Sequence, residues 1–193
     1  MTIEVLNESG LDLVDVRRTQ QLAAFVLDKM RVHPQAELCI TAVDEATIAE
    51  LNAKWMDKDG PTDVLAFPMD ELRPGQVNEE LEEGVLGDLV LCPAVAVRQA
   101  DEAVANGQTG HTPVAELDLL TVHGILHLLG YDHAEPEEHQ EMFGLQARLL
   151  AEWQGQVAGA QPEAGADREA GPEAGPEAGP EPPGPAPEAA APR

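Results

Sequence analysis

The feature that most constrains the fold is an abrupt change of composition near Gly155. Residues 155–193 consist mainly of Ala, Pro, Gly and Glu, and Val157 is their only larger apolar residue. Such a segment buries too little apolar surface to offset the entropy of ordering it. We therefore expect residues 155–193 to be a disordered tail. Residues 1–154 are long enough to form a single domain with one core.

The charge of the chain disfavours one class of function. The formal net charge is −25, of which residues 155–193 carry −5 and residues 1–154 carry −20. Sequence-independent binding of nucleic-acid phosphates requires a basic surface. The charge therefore argues against a general nucleic-acid coat protein, but it is compatible with an enzyme that contacts nucleic acid at one local site.

The cysteines and the apolar segments indicate the cellular compartment. Cys39 and Cys92 each lie in a short apolar run, which is typical of small buried residues in strands rather than of a disulfide or a metal pair. No apolar span reaches the roughly 18 residues of a transmembrane helix, and residues 1–8 lack the pattern of a signal peptide. We expect a cytoplasmic protein with no membrane partner.

The hydrophobic pattern predicts four strands and five helices. The predicted strands are 2–6, 37–43, 62–67 and 85–91, and the predicted helices are 13–33, 44–55, 93–106, 112–129 and 136–153. Residues 69–84 are polar, contain Pro and Gly, and predict a long loop. This order indicates an α+β fold in which a mixed sheet of about four strands is backed by helices.

The segment that carries chemistry contains three histidines. His123 and His127 are four residues apart on a predicted helix, so their imidazoles share one face and can reach one ion. Gly130 can end this helix in the left-handed conformation and turn the chain, which brings His133 back toward the other two. Three neutral imidazoles and one open position are typical of a catalytic zinc site. We predict one Zn²⁺ ion held by these histidines and by water or substrate.

The spacing of these histidines matches that of a known zinc helix. His-x3-His-x2-Gly-x2-His is the ligand spacing of the metzincin proteases, in which a Glu after the first histidine is the general base. Gly124 occupies that position here. The metalloprotease-like zinc helix is therefore retained, while the usual base for peptide hydrolysis is absent. The other histidines, His33, His111 and His139, are expected on the solvated surface.

Three acids are candidates for further roles. Glu116 lies two turns before His123, where it can orient a ligand. It can also be a first-turn acid favoured by the helix dipole, and we prefer this second interpretation. Asp132 adjoins His133, and Asp88 is an acid in an otherwise apolar strand, which is costly unless it has a partner. Asp132 and Asp88 are thus candidate catalytic residues, as acid, base or orienting group.

Three segments resemble the YbeY family of endoribonucleases, also called rRNA maturation factors. They are residues 60–68 (GPTDVLAFP), 86–90 (LGDLV) and 123–133 (HGILHLLGYDH). The resemblance covers residues 1–154. It implies a zinc-dependent hydrolase that cleaves single-stranded RNA, acts in maturation of the small-subunit ribosomal RNA 3′ end and helps ribosome quality control. It also implies that the zinc ligands are His123, His127 and His133.

The sequence departs from the family pattern near the first of these segments. Family members often carry an Arg, implicated in activity, directly after an aromatic residue, whereas Met56 follows Trp55 here. Lys54 or Lys58 can supply a cation in its place, and Lys58 is therefore a third candidate catalytic residue. The family's Leu-Ser-Phe-Pro also loses a hydroxyl, because Ala66 replaces the serine.

The sequence leaves three functions open. The first is a zinc endoribonuclease, in which either water or the RNA 2′-OH is the nucleophile. The second is a metallohydrolase acting on peptides, which Gly124 makes less favourable. The third is a non-catalytic ribosome-assembly protein with structural zinc, and the acidic surface suits contacts with basic ribosomal proteins. Lys29 and Arg31 would form a basic strip for RNA if they flank the zinc cleft; otherwise they are solvated residues favoured by a helix dipole.

Overall fold

The computed structural model of this protein describes residues 1–69 and 84–160. These residues form β1 (Thr2–Asn7), α1 (Val16–Lys29), β2 (Glu37–Ala42), α2 (Glu45–Met56), β3 (Val64–Pro68), β4 (Val85–Leu91), α3 (Pro93–Ala105), α4 (Pro113–Leu128) and α5 (Pro136–Ala160). The predicted strands and helices are confirmed in type and order. The predicted loop at 69–84 and the predicted tail lie almost entirely outside the described residues.

The four strands form one mixed sheet in the order β1-β2-β4-β3. The β1–β2 and β2–β4 pairs are parallel, and β3 pairs with β4 in the antiparallel direction. The predicted α+β fold with a mixed sheet is therefore confirmed. Strand β3 forms one edge of the sheet, and β4 lies between β3 and β2.

Helix α4 is the central helix of the larger core. Ten of its 16 residues are buried, including Val122, Ile125 and Leu126. They pack with apolar residues of α1, α5 and the sheet. A helix that is apolar on nearly all sides is surrounded by other elements, so the side chains of α4 have fixed positions relative to the sheet. None of the described helices is long and apolar enough to cross a membrane.

A buried carboxylate of α4 joins this helix to α1 and α5. Asp118, only 6% exposed, accepts hydrogen bonds from Arg18 of α1 and from the indole Nε1 of Trp153 in α5, the latter at 3.3 Å. A buried charge is tolerated when it is paired and hydrogen-bonded in this way. The network sets the position of α5 beside α4, and this position matters for the metal centre.

The ends of two helices differ from the predictions. Helix α1 begins at Val16, because the side chain of Asp15 caps it by accepting from the backbone N–H of Arg18 at 3.0 Å. It ends before Arg31, whose φ of 58° is left-handed. Helix α5 continues to Ala160 instead of ending near residue 153. Val157 packs against the core, and this contact favours continuation of the helix past Gly155, although a helical Gly costs roughly 1 kcal/mol.

Both cysteines are free thiols, as predicted. Cys39 is half-buried in β2, and Cys92 is fully buried at the junction of β4 and α3. Cys92 belongs to a smaller apolar cluster with Val43, Ile48, Leu65 and Val90. Burial raises the pKa of the Cys92 thiol, which is typical of an unreactive packing cysteine.

Candidate metal centre

Three histidine nitrogens converge at the end of α4. One ring nitrogen from each of His123, His127 and His133 lies within 4.8 Å of the others. The Nε2 atoms of His123 and His127 are 3.1 Å apart. Two nitrogens bound to one tetrahedral zinc ion at the usual 2.0–2.1 Å lie about 3.3 Å from each other. The spacing of the imidazoles therefore matches the spacing that a single zinc ion requires.

The other ring nitrogens of the two helical histidines have fixed partners. The Nδ1 atom of His127 is 3.0 Å from the carbonyl oxygen of Tyr131, and that of His123 is 2.9 Å from Oε1 of Gln146. Both partners are acceptors, so each Nδ1 carries the proton and donates. The two Nε2 lone pairs then face each other, an arrangement that a cation between them stabilises. Such outer hydrogen bonds orient metal-binding histidines in proteins, so these residues fit a zinc ion.

The turn after α4 positions the Tyr131 carbonyl and His133 at the metal centre. Gly130 has a φ of 85°, the left-handed conformation predicted for it. The N–H of Gly130 donates to the carbonyl of His127, and the N–H of Tyr131 donates to that of Leu126, each at 3.0 Å. This pattern closes the helix as a Schellman motif. It places the Tyr131 carbonyl against the His127 ring and returns the chain toward the cleft at His133.

Burial keeps the helical imidazoles in the metal-binding form. Loss of solvation lowers the pKa of His123 below its ordinary 6.5, although the hydrogen bond to Gln146 acts in the opposite direction. Loss of solvation also lowers the pKa of His127, and the neighbouring His123 lowers it further. Only neutral imidazole has a lone pair for a metal. The protein thus favours the ligand form of both residues at neutral pH.

A cleft of about 480 Å³ opens over the histidines. Its lining includes the three histidines and Asp132, residues of α2, and β3 with the loop that precedes it, which carries Lys58 and Asp63. The candidates Asp132 and Lys58 thus lie in the same cleft as the predicted metal ligands. Asp88 is exposed on β4 and is not among the residues that line this cleft, so the structure does not bring it to the site.

The remaining predicted polar residues lie elsewhere. Glu116 is in the first turn of α4 and contacts His111 rather than a predicted zinc ligand, which supports the first-turn interpretation. His33 and His111 are both half-buried, so the expectation that they are solvated surface residues is wrong for each, whereas His139 is exposed as expected. Lys29 pairs with Glu152 at 2.5 Å. Neither it nor Arg31 lines the cleft, so the two residues form no basic strip there.

Gly124 lies where α4 contacts the sheet. A Cβ atom on this residue would stand 2.0 Å from Cδ1 of Leu89 and 3.2 Å from Cγ2 of Val64. Carbon atoms in van der Waals contact lie about 3.5–4.0 Å apart. Position 124 therefore has no room for the glutamate that metzincins carry there, and the absence of that base is built into the packing of the helix.

Sequence reasoning missed four residues of the site. Gln146 is a buried polar residue on the apolar face of α5. A polar residue at an otherwise apolar helix position was the sequence feature that could have indicated its role. Asp63 directly precedes β3, and its carboxylate accepts from the backbone N–H of Val64 and from Gln99, each at 2.8 Å. Phe143 packs near His133 with ring centroids 5.7 Å apart, and the exposed His139 stacks on it at 4.2 Å. The fourth is Asn52, which lines the cleft.

The chain is similar to a family model, to curated proteins and to a solved structure. The family model described as endoribonuclease YbeY matches residues 6–154. A Nocardioides protein named endoribonuclease YbeY is 71% identical over 153 residues, which cover 79% of this chain and 98% of that protein. The Thermobifida fusca protein of the same name is 57% identical, with 79% and 94% covered. A solution structure from Thermotoga maritima has a TM-score of 0.54 and 26% identity, covering 86% of this chain and 100% of that one.

Proposed function

Since this chain belongs to the endoribonuclease YbeY family and is an endoribonuclease, we propose that it is a zinc-dependent enzyme that cleaves single-stranded RNA. Its substrate is the precursor of small-subunit ribosomal RNA, which it matures at the 3′ end in the cytoplasm, and it takes part in ribosome quality control. The motifs quoted above support these finer assignments. The observation that carries the zinc assignment is the convergence of the His123 and His127 Nε2 atoms at 3.1 Å.

The residues of the cleft have different roles in hydrolysis. A zinc ion held by the three histidines would supply a Lewis acid for a phosphoryl oxygen and would lower the pKa of a water molecule. Gln146 and the Tyr131 carbonyl hold His123 and His127 in the ligand tautomer. Asp132 is exposed at the cleft, and its Oδ1 accepts from the backbone N–H of His133 at 2.7 Å. Among the described residues its Oδ2 atom has no hydrogen bond, so we assign it to accept a proton from the nucleophile.

The two alternatives receive less support. A peptide hydrolase of the metzincin type requires a carboxylate directly after the first histidine, and the packing of Gly124 against Leu89 leaves no room for one. A structural zinc site is closed by four protein ligands. In residues 1–69 and 84–160, the ligand cluster around His123 contains three histidines and no fourth group, which favours an open, catalytic site.

The test compares cleavage and metal content in matched variants. We expect the wild type to contain about one zinc per chain and to cleave a labelled single strand in preference to the same sequence in a duplex. His127→Ala should lose both zinc and cleavage. His33→Ala removes a histidine that does not line the cleft and should keep both. Equal cleavage by His127→Ala and wild type would contradict the proposal, and cleavage of casein but not of RNA would favour a peptide hydrolase.

A further inference from the structure

Because the chain is acidic, a lysine or arginine near the metal centre is a candidate contact for a negatively charged substrate. The sequence contains 36 acids and 11 lysines and arginines. Among the described residues that line the cleft, Lys58 is the only lysine or arginine. A polyanionic substrate that enters this cleft therefore meets one lysine side chain in the same cleft as the histidines.

The charge of Lys58 is not neutralised within the described residues. Arg18, Lys29 and Arg98 form ion pairs with Asp118, Glu152 and Glu45 respectively. Over residues 1–69 and 84–160, no such pair involves Lys58, although acids flank it in the sequence on both sides. Its ammonium group is therefore available to an anion from outside the protein.

A buried side chain holds the loop that carries Lys58. Helix α2 ends at Met56, and the residue that caps it, Asp57, has a left-handed φ of 53°. Asn52, only 6% exposed, donates from Nδ2 to the carbonyl of Gly60 at 2.9 Å. The backbone carbonyl of Asn52 accepts from the N–H of Lys58 at 3.4 Å. These bonds fix both ends of the loop, so that the backbone of Lys58 has one defined position on the cleft wall.

The other lysines and arginines considered above lie outside the cleft. The Nζ atom of Lys54 lies 4.9 Å from the centroid of the Trp55 ring, and Lys54 does not line the cleft. Lys29 and Arg31 border a different depression, beside α5. Lys54 is therefore a matched control for Lys58, because it has the same charge and lies four residues away in the sequence.

We propose that Lys58 is a substrate-binding residue whose ammonium group contacts a phosphate of the RNA strand in the cleft. This inference rests on the proposed function. A lysine ammonium is a common phosphate contact and acts as a point charge. It also gives an acidic protein the local positive site that RNA binding requires. Each phosphate contact releases counterions, so each adds about 0.7 to the salt dependence of single-strand binding.

The test uses full-length, zinc-loaded protein and a labelled single-stranded RNA. Lys58→Gln should lower kcat/KM by about 10- to 100-fold, the usual effect of losing a charged hydrogen bond. It should also reduce the slope of log affinity against log salt by about 0.7, with zinc content unchanged. Lys54→Gln should alter kcat/KM by less than about twofold. Adding Met56→Arg to Lys58→Gln should restore the salt slope, because Met56 lines the same cleft.

Two readouts separate failure of this inference from failure of the proposed function. Affinity for a non-cleavable 2′-O-methyl RNA reports the phosphate contact whether or not cleavage occurs. If the wild type cleaves RNA and Lys58→Gln matches it in kcat/KM and salt slope, the Lys58 contact is refuted and the endoribonuclease stands. If zinc-loaded wild type cleaves no RNA, the proposed function fails. In that case an unchanged salt slope for 2′-O-methyl RNA binding in Lys58→Gln refutes the contact as well.

Discussion

Gly124 determines how closely α4 can approach the sheet, and replacing it with alanine perturbs that contact with a single carbon. The new Cβ would lie 2.0 Å from Cδ1 of the fully buried Leu89 and 3.2 Å from Cγ2 of Val64. Overpacking of a core costs about 1–3 kcal/mol, and contacts with two neighbours favour the upper end. Alanine regains about 1 kcal/mol of helix propensity. We expect Gly124→Ala to lower the free energy of unfolding by about 2 kcal/mol.

Gly144→Ala is the matched control, because Gly144 is an exposed residue of α5 whose added Cβ would meet no atom within 4 Å. This variant should gain about 1 kcal/mol. Thermal unfolding should place the Tm of Gly124→Ala about 4–8 °C below wild type and that of Gly144→Ala about 2–4 °C above it. Zinc affinity should fall in Gly124→Ala, since His123 adjoins the displaced residue. Equal stability of the two variants would refute the packing argument.

Three further predictions concern the metal site and the chain end. Gln146→Leu removes the acceptor of His123 Nδ1, so zinc affinity measured by chelator competition should fall about 10- to 100-fold; wild-type affinity would contradict the orienting role. Burial lowers the pKa of His123 and His127 below 6.5, so the unfolded metal-free chain takes up protons first. Urea unfolding should therefore show stability that is present above pH 6.5 and lost as the pH falls below it. Replacing both histidines with Gln should reduce this loss of stability at low pH. An unchanged pH dependence would contradict the assignment of the loss to these two residues. A chain ending at residue 160 should keep the full-length Tm, whereas one ending at residue 154 should melt lower because Val157 packs on the core; equal Tm values for the two truncations would contradict that contact.

Local sequence signals were sufficient to predict the elements whose ends are marked by capping or helix-breaking residues. Thr112 and Pro113 mark the start of α4, and Gly130 marks its end with a left-handed turn. The i, i+4 spacing of His123 and His127 then placed both imidazoles on one face. These features depend on bonds within a few residues, which is why periodicity and capping preferences predict them.

Features that depend on distant contacts were not predictable in the same way. Helix α5 continues past Gly155 because Val157 packs against the core. This tertiary contact outweighs the low helix propensity of glycine. Gln146 reaches His123 from 23 residues away. The exposure of Asp88 follows from its position on the sheet, and sequence alone does not tell which face of a strand is covered. The missing side chain at Gly124 was visible in the sequence, but its cause is the contact with Leu89.

Zinc titration of metal-stripped protein tests the central claim most directly. The measured quantity is the initial rate of cleavage of a labelled single-stranded RNA as zinc is added. If the three converging histidines form the catalytic metal site, the rate should be near zero without zinc and should reach a plateau at about one zinc per chain. Cleavage at the full rate by the metal-stripped chain, or a rate that does not respond to zinc, would contradict the account.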